Sequence, residues 1–186
     1  MWYLEDQQGN EIGHFMRVPF EGGTPVDLTP AMAPYATRGG AISQAGNLFG
    51  FTMADSDGHH LCCLELGPEG SLGTARMLYH SPREFWNPVL SHRGELAVMA
   101  STARAGKRQF SLLAFDTGRG AQIAELWDGP ESSLQPIAFS PLPGDCRLLA
   151  TTNRTGIARP LLWNPYTGER TDLPLDDLDG AIIALD

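Results

Sequence analysis

Apolar residues along this 186-residue chain come in runs of five or six, and each run stops at a short polar cluster. Leu48-Phe49-Gly50-Phe51-Thr52-Met53 gives way to Ala54-Asp55-Ser56-Asp57-Gly58. Leu96-Ala97-Val98-Met99-Ala100 and Arg147-Leu148-Leu149-Ala150-Thr151-Thr152 behave alike. No segment keeps an apolar i, i+3, i+4 pattern through three turns, so no helix is predicted. Twenty-one Gly and fourteen Pro punctuate the chain. Short apolar runs bounded by turn residues predict many short strands, and an all-β chain.

The runs repeat. Gly9, Gly58, Gly106 and Gly156 each close a polar turn, at spacings of 49, 48 and 50. Ser43, Ser91 and Ser140 each end a run, 48 and 49 residues apart. Leu28, Leu78, Leu126 and Leu173 sit in the last run of each unit, at 50, 48 and 47. A period of 47–50 residues that holds four short strands is the pattern of propeller blades. One twisted four-stranded sheet cannot bury both its faces alone, so copies must pack around an axis. The prediction is a single β-propeller segment over 1–186 with about four blades of four antiparallel strands, A to D from the axis outward. The units are approximately 1–30, 39–79, 85–127 and 133–174, with a lone inner strand at 180–186.

Within that scheme the densest chemistry, His59-His60-Leu61-Cys62-Cys63, falls on strand C of the second unit. Alternation sends His59, Leu61 and Cys63 one way and His60, Cys62 and Leu64 the other. No face of this strand then holds more than one His and one Cys, whereas a zinc site converges four ligands on one point. The cysteines read as small buried packing residues, with no metal and no cofactor. Asp55-Ser56-Asp57-Gly58 resembles the start of a calcium loop, but its twelfth position is Leu66 where a bidentate Glu is required. Asp177-Leu178-Asp179-Gly180 has its twelfth position beyond Asp186. Both read as polar turns.

No catalytic residue emerges. Glu69-Gly70-Ser71-Leu72-Gly73 lacks the first Gly of a nucleophile elbow and has no following helix, so Ser71 reads as a loop serine. His14, His80 and His92 show no obvious carboxylate and nucleophile partners in register. Arg83-Glu84-Phe85-Trp86 suits either a funnel mouth or a packed aromatic at a blade boundary.

Charge narrows the partners. Net charge is −9, and Lys107 is the lone lysine among thirteen basic residues. An acidic surface repels phosphate backbones, so no nucleic acid partner is expected. No apolar stretch approaches the ~20 residues that cross a bilayer, so no membrane partner is expected. Met1-Trp2-Tyr3-Leu4-Glu5-Asp6 has neither the basic segment nor the apolar region of a signal peptide. Three cysteines, Cys62, Cys63 and Cys146, without regular spacing suggest reduced thiols and a cytoplasmic setting.

Phe139-Ser140-Pro141, Gly144 and Arg147-Leu148-Leu149-Ala150 are similar to the W-S-P-D-G-x-x-L-A blade signature of the prolyl oligopeptidase family. Trp2-Tyr3-Leu4-Glu5-Asp6 through Gly9-Asn10-Glu11-Ile12, Val18-Pro19-Phe20-Glu21-Gly22-Gly23 and Asp27-Leu28-Thr29-Pro30 resemble blades of its acylaminoacyl- and dipeptidyl-peptidase members. Such blades also occur in the tricorn protease and in TolB-like proteins. Ser43-Gln44-Ala45-Gly46 and Ser91-His92-Arg93-Gly94 depart from the signature by lacking its Pro-Asp pair. The resemblance implies a propeller that caps an α/β-hydrolase domain and filters peptides by size, the Ser-Asp-His triad lying on that other domain. No position of this chain matches those triad residues. The expectation is therefore a non-catalytic segment of a larger serine peptidase, beginning at a strand B and ending at a strand A. Its partners would be the hydrolase domain and peptide substrates. A stand-alone propeller scaffold for protein or small ligands is the alternative. Ala181 to Leu185 is expected to pair beside Trp2 to Leu4, either closing a four-bladed ring within one chain or joining copies through strand edges.

Overall fold

The computed structural model describes residues 1–68, 71–173 and 175. Its strands form four antiparallel sheets. The first holds β1 (Trp2–Asp6), β2 (Gly13–Arg17) and β3 (Val26–Asp27), in that spatial order. The second is β4 (Gly40–Ile42), β5 (Leu48–Asp55), β6 (Gly58–Glu65) and β7 (Arg76–Ser81). The third is β8 (Phe85–Leu90), β9 (Leu96–Ser101), β10 (Ser111–Asp116) and β11 (Ala121–Leu126). The fourth is β12 (Leu134–Phe139), β13 (Leu148–Thr152), β14 (Arg159–Trp163) and β15 (Arg170–Asp172). Sequence order and spatial order coincide in every sheet, and β4, β8 and β12 run side by side. These are the blades of an all-β propeller, with the A strands innermost. The expected lone strand at 180–186, and its pairing with Trp2 to Leu4, lie outside the described residues.

Three apolar clusters cement the blades. Phe15, Tyr35, Phe49, Phe51, Cys62 and Leu64 join the first blade to the second. Leu61, Cys63, Phe85, Met99 and Phe115 lie between the second and third. Leu96, Val98, Leu112, Leu148, Leu161 and Trp163 lie between the third and fourth. A strand sandwiched between two blades must be apolar on both faces. That is why Leu96 to Ala100 is an unbroken apolar run, with Leu96, Val98 and Ala100 facing one blade and Ala97 and Met99 the other.

Each repeated marker has a physical task. The backbone N–H of Ser43, Ser91 and Ser140 donates to the carbonyl of Leu48, Leu96 and Arg147, closing the A–B turn in three blades. The Ser43 and Ser91 hydroxyls also accept from the N–H of Leu48 and Leu96, at 3.0 and 2.9 Å. Gly9, Gly58, Gly106 and Gly156 all have positive φ, from 67 to 133°, which a tight B–C turn demands. Pro88 and Pro136 occupy matching places on the inner strands, where a missing donor does little harm. Both adjoin bulges, and Asn87 takes a φ of 52° at the first of them. The third blade's inner strand runs through this bulge from Phe85 to Leu90.

The A–B turns of the second and third blades are tied together. Ala45 N–H donates to the His92 carbonyl, and Asn47 Nδ2 to the Arg93 carbonyl, both at 2.8 Å.

Candidate functional site

A recess opens where the A–B and C–D turns of the second and third blades meet. It has a volume of about 730 Å³. Glu65, Arg76, Arg93, Glu95 and Asp116 supply its charge, and Tyr166 reaches in from the fourth blade. Arg76 donates from Nη2 to the Thr117 carbonyl at 2.9 Å, which pins one wall. The Thr117 hydroxyl in turn donates to the Gly94 carbonyl. Two guanidinium groups and three carboxylates around one polar recess suit an extended ligand that carries amides and charges of both signs. Ser71 sits at its edge with its hydroxyl donated to the Pro68 carbonyl at 3.0 Å. No histidine lines the recess among the described residues, so Ser71 has no base beside it.

The opposite face, built from B–C turns and D–A connections, is cationic at one point. His59, Arg83, Glu84, Thr102, Lys107 and Arg108 line a cleft of about 330 Å³. Beside it Trp86 lies between two guanidinium groups, with Arg38 and Arg108 Cζ atoms 5.3 and 5.4 Å from its ring centre. Phe85 is fully buried. In the Arg83-Glu84-Phe85-Trp86 stretch Phe85 packs between blades, the aromatic-boundary reading, while Arg83 and Glu84 line the cleft.

The histidines differ from expectation. His14 does have a carboxylate partner, Asp27 Oδ2 at 2.8 Å from its Nδ1. The partnership was hidden because β2 and β3 are joined through a long connection, and their register is not legible from either strand. Asp27 Oδ1 also accepts from Thr29 N–H at 2.7 Å, and Thr29 Oγ1 bonds the Tyr35 hydroxyl. No serine or cysteine bonds to His14 among the described residues, so this pair has no nucleophile to activate. His92 Nδ1 lies 3.3 Å from Gln44 Oε1, and His80 Nε2 2.9 Å from the Asp57 carbonyl.

Both cysteines of strand β6 are buried, Cys62 against the first blade and Cys63 against the third. Burial pushes the Cys62 thiol up to about 12 and raises Cys63 as well. Asp55 closes its turn by accepting from Asp57 N–H at 2.8 Å, with Gly58 at a φ of 133°. Asp177 to Gly180 lie outside the described residues. Among the described residues no helix is long and apolar enough to cross a membrane.

No protein-family model matches the chain, and no curated protein does either. Solved structures do. TolB from Acinetobacter baumannii matches 94% of this chain with a TM-score of 0.63 at 10% identity, over 41% of its own length. A puromycin-hydrolyzing peptidase of Mycobacterium tuberculosis matches 94% at 0.60 and 15% identity, over 31% of its length. Prolyl oligopeptidase B of Galerina marginata, bound to a 35mer hydrolysis and macrocyclization substrate, matches 94% at 0.59 and 13% identity, over 25% of its length. The chain therefore shares the propeller fold of these proteins and spans less than half the length of each.

Proposed function

We propose that this chain is a non-catalytic β-propeller segment of a prolyl oligopeptidase-like serine peptidase that works in the cytoplasm. In this reading the blades cap a hydrolase domain and gate the entry of peptides. The observation that carries it is a blade signature, Phe139-Ser140-Pro141 through Ala150, set in a fold that also occurs in peptidases which act on puromycin and on a long peptide. The polar recess of about 730 Å³ supports it, since Arg76, Arg93 and the facing carboxylates offer an extended peptide charged and amide contacts.

The same fold in TolB, a match whose name is not that of a peptidase, leaves as the second reading a stand-alone propeller scaffold for protein or small ligands. The two are separated by the coding sequence that carries this chain. A hydrolase domain with a G-x-S-x-G elbow in the same protein is expected. In that whole protein, Arg76→Ala with Arg93→Ala should change kcat/KM for long peptides more than for a dipeptidyl amide. Finding no hydrolase domain, or equal effects on both substrates, overturns the gating reading. The chain alone should not turn over aminoacyl amides or p-nitrophenyl esters, and turnover abolished by Ser71→Ala would contradict it.

A further inference from the structure

Strand pairing gives the His-Cys stretch neighbours that alternation along β6 alone does not reveal. His60 lies directly across from His80 in the β6–β7 ladder, and Cys62 across from Met77. Residues paired across a ladder share a face. The bulge in this ladder takes up Leu78, so Met77 joins the two histidines on one side.

Hydrogen bonding fixes the protons on both rings. His60 Nε2 lies 3.0 Å from Asp55 Oδ1, and His80 Nε2 lies 2.9 Å from the Asp57 carbonyl. A carboxylate and a carbonyl only accept, so each Nε2 carries hydrogen. In the neutral rings Nδ1 is then a bare lone pair on both histidines. His60 Nδ1 faces the Met77 sulfur at 3.4 Å, and the two imidazoles stand 4.8 Å apart, centre to centre.

Two facing lone pairs at this distance are stabilised by a cation between them. With metal–nitrogen and metal–sulfur bonds of about 2.0 and 2.3 Å, a 3.4 Å separation subtends roughly 105° at one ion. The Nε2 bonds to Asp55 and Asp57 are the outer contacts that orient imidazole ligands and strengthen them. A thioether is a soft donor and favours cuprous copper over zinc or calcium. Among the described residues no three His, Cys, Asp or Glu side chains converge, which a zinc site would need. We propose that His60 Nδ1, Met77 Sδ and the His80 imidazole form a binding site for a cuprous ion on the outer half of the second blade. Met77 is 59% exposed and His60 only 8%, so the site has a rigid inner ligand and an open approach.

The test is an anaerobic titration of the chain with Cu(I) against bicinchoninate, in a Cys146→Ser background that removes the most accessible thiol. One ion per chain should resist the chelator, and the Met77 methyl resonance should shift on binding. Met77→Leu, a near-isosteric change at an exposed position, should weaken binding about tenfold or more, and His80→Asn should do the same. Both variants should melt with the parent, which separates lost ligands from lost fold. Failure to compete with the chelator overturns the proposal. So does copper uptake that leaves the Met77 methyl unmoved or survives both substitutions, because the remaining buried thiols would then be the donors.

Discussion

Gly94 and Leu48 touch across the seam between the second and third blades, so closely that a Cβ on Gly94 would fall 2.7 Å from the Leu48 Cβ. Gly94 also has a φ of 78°. Its counterpart one blade earlier, Gly46, has a φ of 71° but nothing within 4 Å of a built Cβ. Gly46→Ala should therefore cost only the left-handed backbone penalty, about 1–2 kcal/mol. Gly94→Ala should cost distinctly more, because Leu48 belongs to a filled core and cannot retreat. Urea unfolding of the two variants decides it, and equal losses would contradict the contact.

Asp128 should govern part of the acid stability. Its side chain is 4% exposed and receives two contacts from Arg170 and one from the Thr152 hydroxyl. Burial pushes its pKa up, but Arg170 and Thr152 outweigh burial and hold it below the usual carboxylate value. A depressed carboxylate contributes stability above its unfolded pKa of about 3.9 and loses it as pH falls through the folded value. Unfolding free energy should drop across that acidic window in the parent and less steeply in Asp128→Asn. Asp128→Ala removes the buried partner of Arg170 but leaves it Asp172, 2.8 Å away, and should cost about 1–3 kcal/mol at neutral pH.

The thiols should fall into two classes. Cys62 and Cys63 are buried, at 3% and 1% exposure, while Cys146 is partly open. Ellman's reagent should modify about one thiol quickly in the native protein, and Cys146→Ser should remove that phase. Cys62→Asp and Cys63→Asp should each cost on the order of 3 kcal/mol or more, since each puts a charge between packed blades. Both are buried because the second blade has a neighbour on each side.

Loss of the turn hydroxyl should be a modest and repeated effect. Ser43→Ala and Ser91→Ala each remove one acceptor for a strand B N–H and should cost about 1 kcal/mol apiece. The double variant should be close to additive, because the two hydroxyls serve separate turns. A strong coupling in thermal melts would show that the turns unfold as one unit.

These positions show what the chain reveals before it is folded. Ser43, Ser91 and Gly58 are legible because a period and a turn chemistry are both local properties of the sequence. The bulge between Trp86 and Val89 was not, because it depends on the facing strand. The recess around Arg76 and Arg93 was not legible, because its walls come from three blades. Neither was the His60, Met77 and His80 group. Its members lie on adjoining strands whose relative offset is set by a bulge, and only pairing turns a spacing of 17 or 20 residues into a contact.

The tie between the A–B turns has a mechanical meaning. Ala45 and Asn47 hold the carbonyls of His92 and Arg93, and Thr117 holds Gly94 from the far side of the same turn. The second and third blades are latched on the very face where the large recess opens. A ligand there meets a stiff floor, and parting these two blades would break the Ala45–His92, Asn47–Arg93 and Arg76–Thr117 hydrogen bonds at once. Any opening of the recess must therefore leave this seam intact and act on the turns that rim it.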